Sequence, residues 1–204
     1  MKVLAFPVSS SNKSINKRLG MYAATLFEKS SIDQIDLNDY EVAIFSEDKE
    51  SESGVPSKIK ALANKIDKVD LLVISLAEHN GSYSSAFKNI YDWLSRIPNR
   101  KVLGEKPVLL LATSLGWRGG SSVLAAALDR FPRDGSEVLE SFSLPSFQDN
   151  FKEDEISNIK MRIELIQKVN KIKSIHYKQY YKNEDFTCGV DPNRNGGCGD
   201  AIEY

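Results

Sequence analysis

The sequence lacks several features that would assign it to a specialised class. Its two cysteines, Cys188 and Cys198, both lie near the end of the chain, so no disulfide framework is predicted. The longest apolar runs, residues 71–77 and 108–112, are too short to span a bilayer. The polar residues from Ser9 onward leave no room for a signal peptide. These absences predict a cytoplasmic protein that does not enter the membrane.

The charged residues also lack a dominant sign. Lys and Arg total 27 against 28 Asp and Glu, for a formal net charge of -1. This balance disfavours nucleic acid as the main partner, because polyanion binding needs an excess of basic groups. The 204 residues, of which 41% are hydrophobic, suffice for one α/β domain with its own core. Two cysteines cannot complete a four-ligand zinc site, and no metal is predicted.

Several catalytic and nucleotide-binding motifs are missing. Neither G-x-G-x-x-G nor G-x-x-x-x-G-K-[ST] occurs, so the usual dinucleotide fingerprint and the P-loop are both absent. G-x-S-x-G and H-E-x-x-H are absent too, which disfavours the corresponding hydrolases. No carboxylate follows the first apolar run, as a phosphoacceptor receiver domain would require.

The residues that are present alternate between strand and helix patterns. Five apolar runs have the length of buried strands: 2–8, 32–37, 70–76, 107–113 and 138–144. Helical spacing predicts inward-facing residues at Ile15, Leu19, Tyr22, Leu26 and Phe27; Ile59, Leu62, Ala63 and Ile66; Phe87, Ile90, Tyr91, Leu94 and Ile97; Val123, Leu124, Ala127, Leu128 and Phe131; and Ile156, Ile159, Ile163, Ile166 and Val169. This alternation predicts an α/β fold with a five-stranded parallel sheet in the order 2-1-3-4-5.

Such a sheet binds ligands beyond the carboxyl ends of its strands, near the point where the strand order reverses. A Ser-rich loop, residues 9–16, follows the first predicted strand and ends at a helix N-terminus. Main-chain N–H groups and hydroxyls at such a terminus can bind phosphate, but the same residues also suit a plain turn with a helix cap. The residues alone leave both interpretations open.

Two further loops follow the third and fourth predicted strands. Residues 77–82 read A-E-H-N-G-S, and residues 113–120 read T-S-L-G-W-R-G-G. The pairs Asn80-Gly81 and Gly119-Gly120 allow positive φ and a close approach of the main chain to a ligand. Exposed main chain of this kind can hold a flat ring and form hydrogen bonds at its edge.

Together the three loops resemble those of the NAD(P)H-dependent FMN reductase family of flavodoxin-like proteins. The loops of that family read approximately G-S-x-R-x-x-S-x-N, then P-E-Y-N-G-S with L-K-N-x-x-D-W, then S-x-G-x-x-G-G. The matching residues are Ser9, Ser14 and Asn16; Glu78, Asn80, Gly81 and Ser82; Lys88, Asn89, Asp92 and Trp93; and Ser114, Gly116, Gly119 and Gly120. The resemblance covers residues 1–175 approximately and implies a flavodoxin-like three-layer sandwich.

The resemblance also implies a cofactor, its binding residues and an activity. The phosphate of FMN is expected at Ser9, Ser11, Ser14, Ile15 and Asn16. The flavin ring is expected at Glu78, His79, Asn80, Gly81, Ser114, Leu115, Gly116 and Gly119. Proteins of this kind take hydride from NAD(P)H at flavin N5 and reduce a small acceptor in a ping-pong mechanism, so no catalytic side chain is expected. The resemblance further implies a homodimer or homotetramer.

Four residues depart from the pattern of the family: Val8 replaces Gly, Ser11 replaces Arg, Ala77 replaces Pro and His79 replaces Tyr. Without the Arg, N–H groups and hydroxyls must meet the phosphate charge, with Lys13 or Lys17 as further candidates. His79 has two interpretations, a proton donor to the reduced acceptor or a packing residue of the ring site. Trp93 is expected to pack in the core or at a subunit contact rather than to act in catalysis. Trp117 is expected to stack on a ligand or contact another subunit. Arg118 suits a nicotinamide-nucleotide phosphate or plain solvent.

Domain organisation follows from the extent of the resemblance. Residues 1–178 are expected to form the FMN-binding domain, and residues 179–204 a C-terminal extension that is flexible or docks on another subunit, with a redox-sensing thiol pair as the alternative. The acidic segment 39–54 is interpreted as a surface loop, or as a lid or subunit contact.

Two other functions fit the same fold. A flavodoxin-type electron carrier is one, although such carriers are usually markedly acidic. A flavin-free binding or regulatory domain is the other, since fold does not settle function. The acceptor of an enzyme remains open among free flavin, quinone, azo dye, nitro compound and metal oxyanion.

Overall fold

A computed structural model of the chain describes the backbone of residues 1–185 and the side chains of residues 1–178. In chain order the elements are β1 (Lys2–Val8), α1 (Ile15–Thr25), β2 (Ser31–Gln34), a 3-10 helix (Leu37–Tyr40), α2 (Glu47–Ser53), α3 (Ser57–Asp67), β3 (Leu71–Leu76), β4 (Glu78–His79), β5 (Ser82–Tyr83), α4 (Ser85–Leu94), β6 (Val108–Thr113), α5 (Ser121–Arg133), β7 (Val138–Leu144), α6 (Phe147–Asn150), β8 (Phe151–Lys152), β9 (Glu155–Ile156) and α7 (Ile159–Asp185).

Five parallel strands form the central sheet in the order β2-β1-β3-β6-β7. The short pairs β4-β5 and β8-β9 are separate antiparallel hairpins, so β6 and β7 are the fourth and fifth strands of the predicted series. In register, Val8 of β1 lies beside Leu76 of β3, and Leu76 lies beside Ala112 of β6. The carboxyl ends of the three central strands therefore meet at one edge of the sheet.

Helices cover both faces of the sheet, because successive residues of a buried strand point to opposite sides. Leu4, Phe6 and Val8 pack in one core cluster with α3, α4 and α5, whereas Val3 and Ala5 pack in a second cluster with α1 and α7. This arrangement confirms the predicted five-stranded parallel α/β sheet.

Two of the predicted elements are wrong in detail. The second strand is Ser31–Gln34 rather than 32–37, since Ile35 and Leu37 are buried beyond its end and the chain turns there into the 3-10 helix. The last helix begins at Ile159, and Ile156 is buried in β9 instead.

The inner face of α7 agrees with the prediction only in part, because Val169 is buried as predicted but two of the other predicted residues are not. Ile159 and Ile163 are 69% and 49% exposed, whereas Leu165, Val169 and Ile172 are buried. Two apolar stripes run along this helix, and helical spacing alone does not tell which one meets the sheet.

Two smaller predictions about helices also change. Leu128 is 40% exposed on α5, and Ile97 lies beyond the end of α4.

The segment 39–54 is not a plain loop, because it contains the end of the 3-10 helix and all of α2. Cys188, Cys198 and the rest of residues 186–204 lie outside the described residues.

Candidate functional site

The three loops that resemble a flavin site lie at one edge of the sheet. Loop 1 (residues 9–16) follows β1, loop 2 (77–84) follows β3 and loop 3 (114–120) follows β6. Side chains also tie the loops to neighbouring elements. The Ser84 hydroxyl of loop 2 donates to the carbonyl of Val8 over 3.0 Å, at the end of β1. The predicted residues of the three loops are therefore neighbours in the fold.

Loop 1 presents main-chain donors at the start of α1. Ser14 is the N-cap residue, and its hydroxyl accepts from the Lys17 N–H over 3.2 Å. The N–H groups of Ile15 and Asn16 have no hydrogen-bond partner within residues 1–178. The first-turn N–H groups and the dipole of a helix favour an anion at this position.

The two lysines of loop 1 and α1 differ in their partners. Lys17 Nζ lies 2.7 Å from Asp36, and its hydrogen bond to that carboxylate, together with the Asn38 N–H, lowers the pKa of Asp36 below its usual value. Lys13 is exposed and makes no ion pair within the described part of the chain. Of the two candidates for a phosphate, Lys13 is the one whose charge is not already neutralised.

Asn16 has a different environment from the serines of its loop. It is 4% exposed, and its side chain faces the sheet. Its Oδ1 accepts from the Thr113 N–H and the Ser75 hydroxyl, both over 3.1 Å, and its Nδ2 donates to the Thr113 carbonyl over 3.3 Å. Only its main-chain N–H is available to a ligand at the helix start.

Loop 2 is a tight hairpin. Glu78–His79 pairs with Ser82–Tyr83, and the two residues of the turn, Asn80 and Gly81, have φ of 51° and 78°. Positive φ at both positions is the requirement of a type I′ turn, and Asn-Gly is its preferred sequence. His79, Asn80 and Gly81 are exposed at the tip.

Glu78 connects loop 2 to the helix that follows loop 3. Its Oε2 accepts from the Val123 N–H over 3.0 Å, in the first turn of α5. The N-cap of α5 is Gly120, which offers no side chain for this purpose. A carboxylate from loop 2 therefore caps α5.

Loop 3 is closed by its own main chain. The Gly119 N–H and the Ser146 N–H both donate to the carbonyl of Gly116, and the Ser114 hydroxyl donates to the same atom over 3.1 Å. Gly119 has a φ of 59°, and a Cβ there would collide with Ser143 Oγ. At Gly116 a Cβ would meet no atom closer than 4.0 Å.

Large side chains of loop 3 point outward. Leu115 is 63% exposed and Trp117 is 82% exposed, while Arg118 hydrogen-bonds Ser122 and lies 6.0 Å from the Trp117 ring. Trp93, by contrast, is buried, which confirms core packing, one of its two predicted roles.

A groove of about 290 Å³ lies beside loop 1. Ser10, the segment from Leu37 to Ile44 and the start of α4 line it. No residue from 78–81 or 114–119 takes part, so the groove adds space next to loop 1 rather than between loops 2 and 3.

Sequence reasoning missed how α4 holds one wall of this groove. The Asn89 side chain accepts from the Phe45 N–H and donates to the carbonyls of Val42 and Ala43. Trp93 Nε1 also donates to the Ala43 carbonyl, over 2.8 Å. Asn89 and Trp93 were part of the resemblance, but nothing in the sequence indicated residues 42–45 as their partners.

Two features of the described residues concern metal binding and membranes. Within residues 1–178 no group of three or more His, Cys, Asp and Glu side chains could hold a metal ion. Among the described helices, none is long and apolar enough to cross a membrane.

Comparisons with known proteins agree with the resemblance. The family model of NADPH-dependent FMN reductases matches residues 1–149. A quinone reductase of Escherichia coli (strain K12) is 38% identical over 81 residues, which are 40% of this chain and 43% of that protein. An NADPH:quinone oxidoreductase of Arabidopsis thaliana is 33% identical over 91 residues, which are 45% of this chain and 44% of that protein. The aligned part thus spans less than half of either relative.

A solved structure shows the same fold. The flavoenzyme FerB of Paracoccus denitrificans, an NAD(P)H:(acceptor) oxidoreductase, superposes with a TM-score of 0.66 at 20% identity. The superposition covers 85% of this chain and 97% of that one. The family match extends over most of the chain and includes all three loops. The chain therefore belongs to the NADPH-dependent FMN reductase family.

Proposed function

We propose that the protein is an FMN-dependent oxidoreductase that takes hydride from NAD(P)H and reduces a small acceptor such as a flavin, a quinone or an azo compound. The observation that carries this proposal is the meeting of three loops at the carboxyl edge of the sheet, one with unpaired helix N–H groups and two with exposed main chain. Family membership supports the same cofactor and the same co-substrate.

The residues of loop 1 fit a phosphate monoester. The main-chain N–H groups of Ile15 and Asn16 point out of the first turn of α1, and Ser9 and Ser11 add hydroxyls. Ser14 contributes by fixing the start of the helix, since its hydroxyl is occupied by Lys17 N–H. These five residues are the proposed phosphate site, with binding by N–H and hydroxyl groups in place of an Arg.

The residues of loops 2 and 3 fit a flat ring. Gly116 leaves open space where other residues carry a side chain, and Asn80-Gly81 exposes main-chain atoms at the hairpin tip. The proposed ring site comprises Glu78, His79, Asn80, Gly81, Ser114, Leu115, Gly116 and Gly119. Glu78 and Gly119 contribute by shaping the loops, Glu78 through its cap on α5 and Gly119 through its tight turn.

When bound, FMN supplies the hydride-accepting and electron-donating chemistry, and the protein binds and orients the reactants. No side chain is proposed as a catalytic acid or base. A single site that serves donor and acceptor in turn gives ping-pong kinetics. The names of the relatives, quinone reductase and NADPH:quinone oxidoreductase, support a quinone as the first acceptor to test.

The proposed working form is a homodimer or homotetramer of this chain in the cytoplasm, where NAD(P)H is supplied. Residues 1–178 are the proposed FMN-binding domain. The exposed Leu115 and Trp117 support assembly, because large apolar side chains in neighbouring positions are usually covered in a complex. Light scattering after size exclusion tests this, and a single monomeric species contradicts it.

The activity is tested with the purified protein. Its flavin is identified by absorbance and chromatography, and its anaerobic reduction is timed with NADH and with NADPH. We expect reduction by at least one nucleotide and rapid reoxidation by 1,4-benzoquinone, with parallel lines in the double-reciprocal plots. A protein that binds no flavin contradicts the proposal, and a flavoprotein that neither nucleotide reduces is the electron carrier instead.

A further inference from the structure

The side chain of Asn16 joins the first and third loops of the proposed site. Its amide pairs with both the N–H and the C=O of Thr113, in the way that a neighbouring strand would pair. Thr113 is the last residue of β6 and directly precedes loop 3. Asn16 belongs to the first turn of α1, where the unpaired N–H groups lie. One side chain therefore connects the start of α1 to the start of loop 3.

The hydrogen-bonding capacity of this amide is largely used within the protein. Oδ1 has two acceptor positions, which the Thr113 N–H and the Ser75 hydroxyl occupy. The side chain is buried, so a phosphate outside the first turn does not meet it. A direct contact between this amide and a ligand is thus not the role that the geometry supports.

Ser75 completes the connection from the middle of the sheet. Its buried hydroxyl donates to Asn16 Oδ1 over 3.1 Å. Gly20 lets α1 approach this point, since a Cβ at Gly20 would lie 3.1 Å from Ser75 Cβ. The position of α1 is therefore fixed against β3 and β6 together.

We propose that Asn16 is a positioning residue that sets the spacing between the phosphate half and the ring half of the flavin site. This inference rests on the proposed function. A ligand held at both ends binds tightly only when the two half-sites are at the right distance, since otherwise one half is engaged at the expense of the other. Asn16 keeps that distance by fixing α1 against the end of β6.

The Asn16→Asp variant tests the proposal with a built-in rescue. At neutral pH the carboxylate of this variant faces the Thr113 carbonyl and cannot donate to it. The two oxygens repel each other, which pushes α1 away from the end of β6. When protonated, the carboxyl group again donates to the carbonyl and accepts from the Thr113 N–H. We therefore expect the variant to regain the wild-type connection as the pH is lowered.

Few other charges act on this position. The strands β3 and β6 carry no titratable side chain. On α1, Lys17 is paired with Asp36 and Arg18 with Asp154, and Lys13 lies in the loop before the helix. Wild-type protein measured over the same pH range controls for these groups and for the titration of the phosphate itself.

The measurement compares the dissociation constants of FMN and riboflavin, which lacks the phosphate. At neutral pH we expect Asn16→Asp to lower the preference for FMN over riboflavin by about tenfold, as the loss of one buried hydrogen bond allows. The preference should recover as the pH falls. An unchanged preference in a folded variant contradicts the positioning role, whereas a wild-type protein that binds neither ligand contradicts the proposed function itself.

Ser75→Ala is the second variant, because Asn16→Asp can fail to fold. Ser75 lies on the central strand β3 and is fully buried, so it does not touch a ligand. We expect a loss of FMN preference of about threefold, in the same direction. Ser75→Ala adds no charge near the phosphate, so it separates positioning from repulsion by the new carboxylate. If a folded Ser75→Ala protein keeps the wild-type preference, the effect of Asn16→Asp comes from its charge and the proposal is overturned.

Discussion

Glu78 and Val123 are 45 positions apart in the chain, and the N–H of Val123 donates to Glu78 Oε2 over 3.0 Å. The bond joins the loop after β3 to the first turn of α5, directly behind the loop after β6. A carboxylate at a helix N-terminus is favourable both as a hydrogen-bond acceptor and as a charge next to the helix dipole. Two of the three loops of the proposed flavin site are therefore held in a fixed relation.

Substitutions of Glu78 should separate the contribution of its hydrogen bond from that of its charge. Glu78→Ala is expected to lower the free energy of unfolding by about 1–2 kcal/mol and to weaken FMN binding, because the Val123 N–H loses its partner. Glu78→Gln keeps an acceptor and loses only the charge, so a smaller effect is expected. Denaturant unfolding and flavin fluorescence titration measure both. Equal damage in the two variants would mean that the charge, not the hydrogen bond, dominates.

Gly119 and Gly116 of loop 3 differ in whether they can accept a side chain. Gly119→Ala is expected to lower the free energy of unfolding by about 2 kcal/mol or more, because its φ is positive and a Cβ meets Ser143 and Pro145. Gly116→Ala is the matched control and should leave folding unchanged. It should nevertheless weaken FMN binding, since the added methyl group occupies the proposed ring site. Normal FMN affinity in a folded Gly116→Ala protein would argue against a ring at this position.

The two tryptophans provide another matched pair. Trp93→Phe removes the Nε1 hydrogen bond to Ala43 and part of a buried ring, so we expect a loss of about 2 kcal/mol in the free energy of unfolding. Trp117→Phe changes an exposed ring and should cost less than about 0.5 kcal/mol. Equilibrium denaturation at one protein concentration checks both. A loss below about 0.5 kcal/mol for Trp93→Phe would contradict the assignment of Trp93 to the core.

The ion pair between Lys17 and Asp36 predicts how the free energy of unfolding changes with pH. The hydrogen bond from Lys17 lowers the pKa of Asp36 in the folded protein, so its contribution is present above the unfolded pKa and disappears as the pH falls through the folded value. Asp36→Asn should therefore be less stable than wild type at about pH 6, by under about 1 kcal/mol because both side chains are a third exposed.

The same comparison at acidic pH completes this test. The difference between wild type and Asp36→Asn should shrink as the pH falls through the lowered pKa of Asp36, because the carboxyl group then becomes protonated in the folded as well as the unfolded state. Lys17→Met should reproduce the result by removing the other partner. A difference that persists unchanged in acid would mean that Asp36 acts through contacts that do not depend on its charge.

The sequence predicted the order of the elements and the three loops, since each depends on neighbours in the chain. It did not predict that Asn16 pairs with Thr113, because the partner lies 97 positions away and no local pattern identifies it. The prediction for α7 was partly wrong for a related reason. Ile159 and Ile163 have helical spacing with the buried Val169, but β7 and the hairpin β8-β9 meet a face that also contains Leu165 and Ile172 and leaves Ile159 and Ile163 exposed. Contacts across the fold decide both cases.

The central claim is that three loops form one FMN site, and titration of the flavin-free protein with FMN tests it most directly. We predict saturable binding of one FMN per chain, with tighter binding than for riboflavin because the N–H groups at the start of α1 engage the phosphate. Equal affinity for FMN and riboflavin would contradict the phosphate site in loop 1. An absence of saturable binding by either ligand would contradict the whole account.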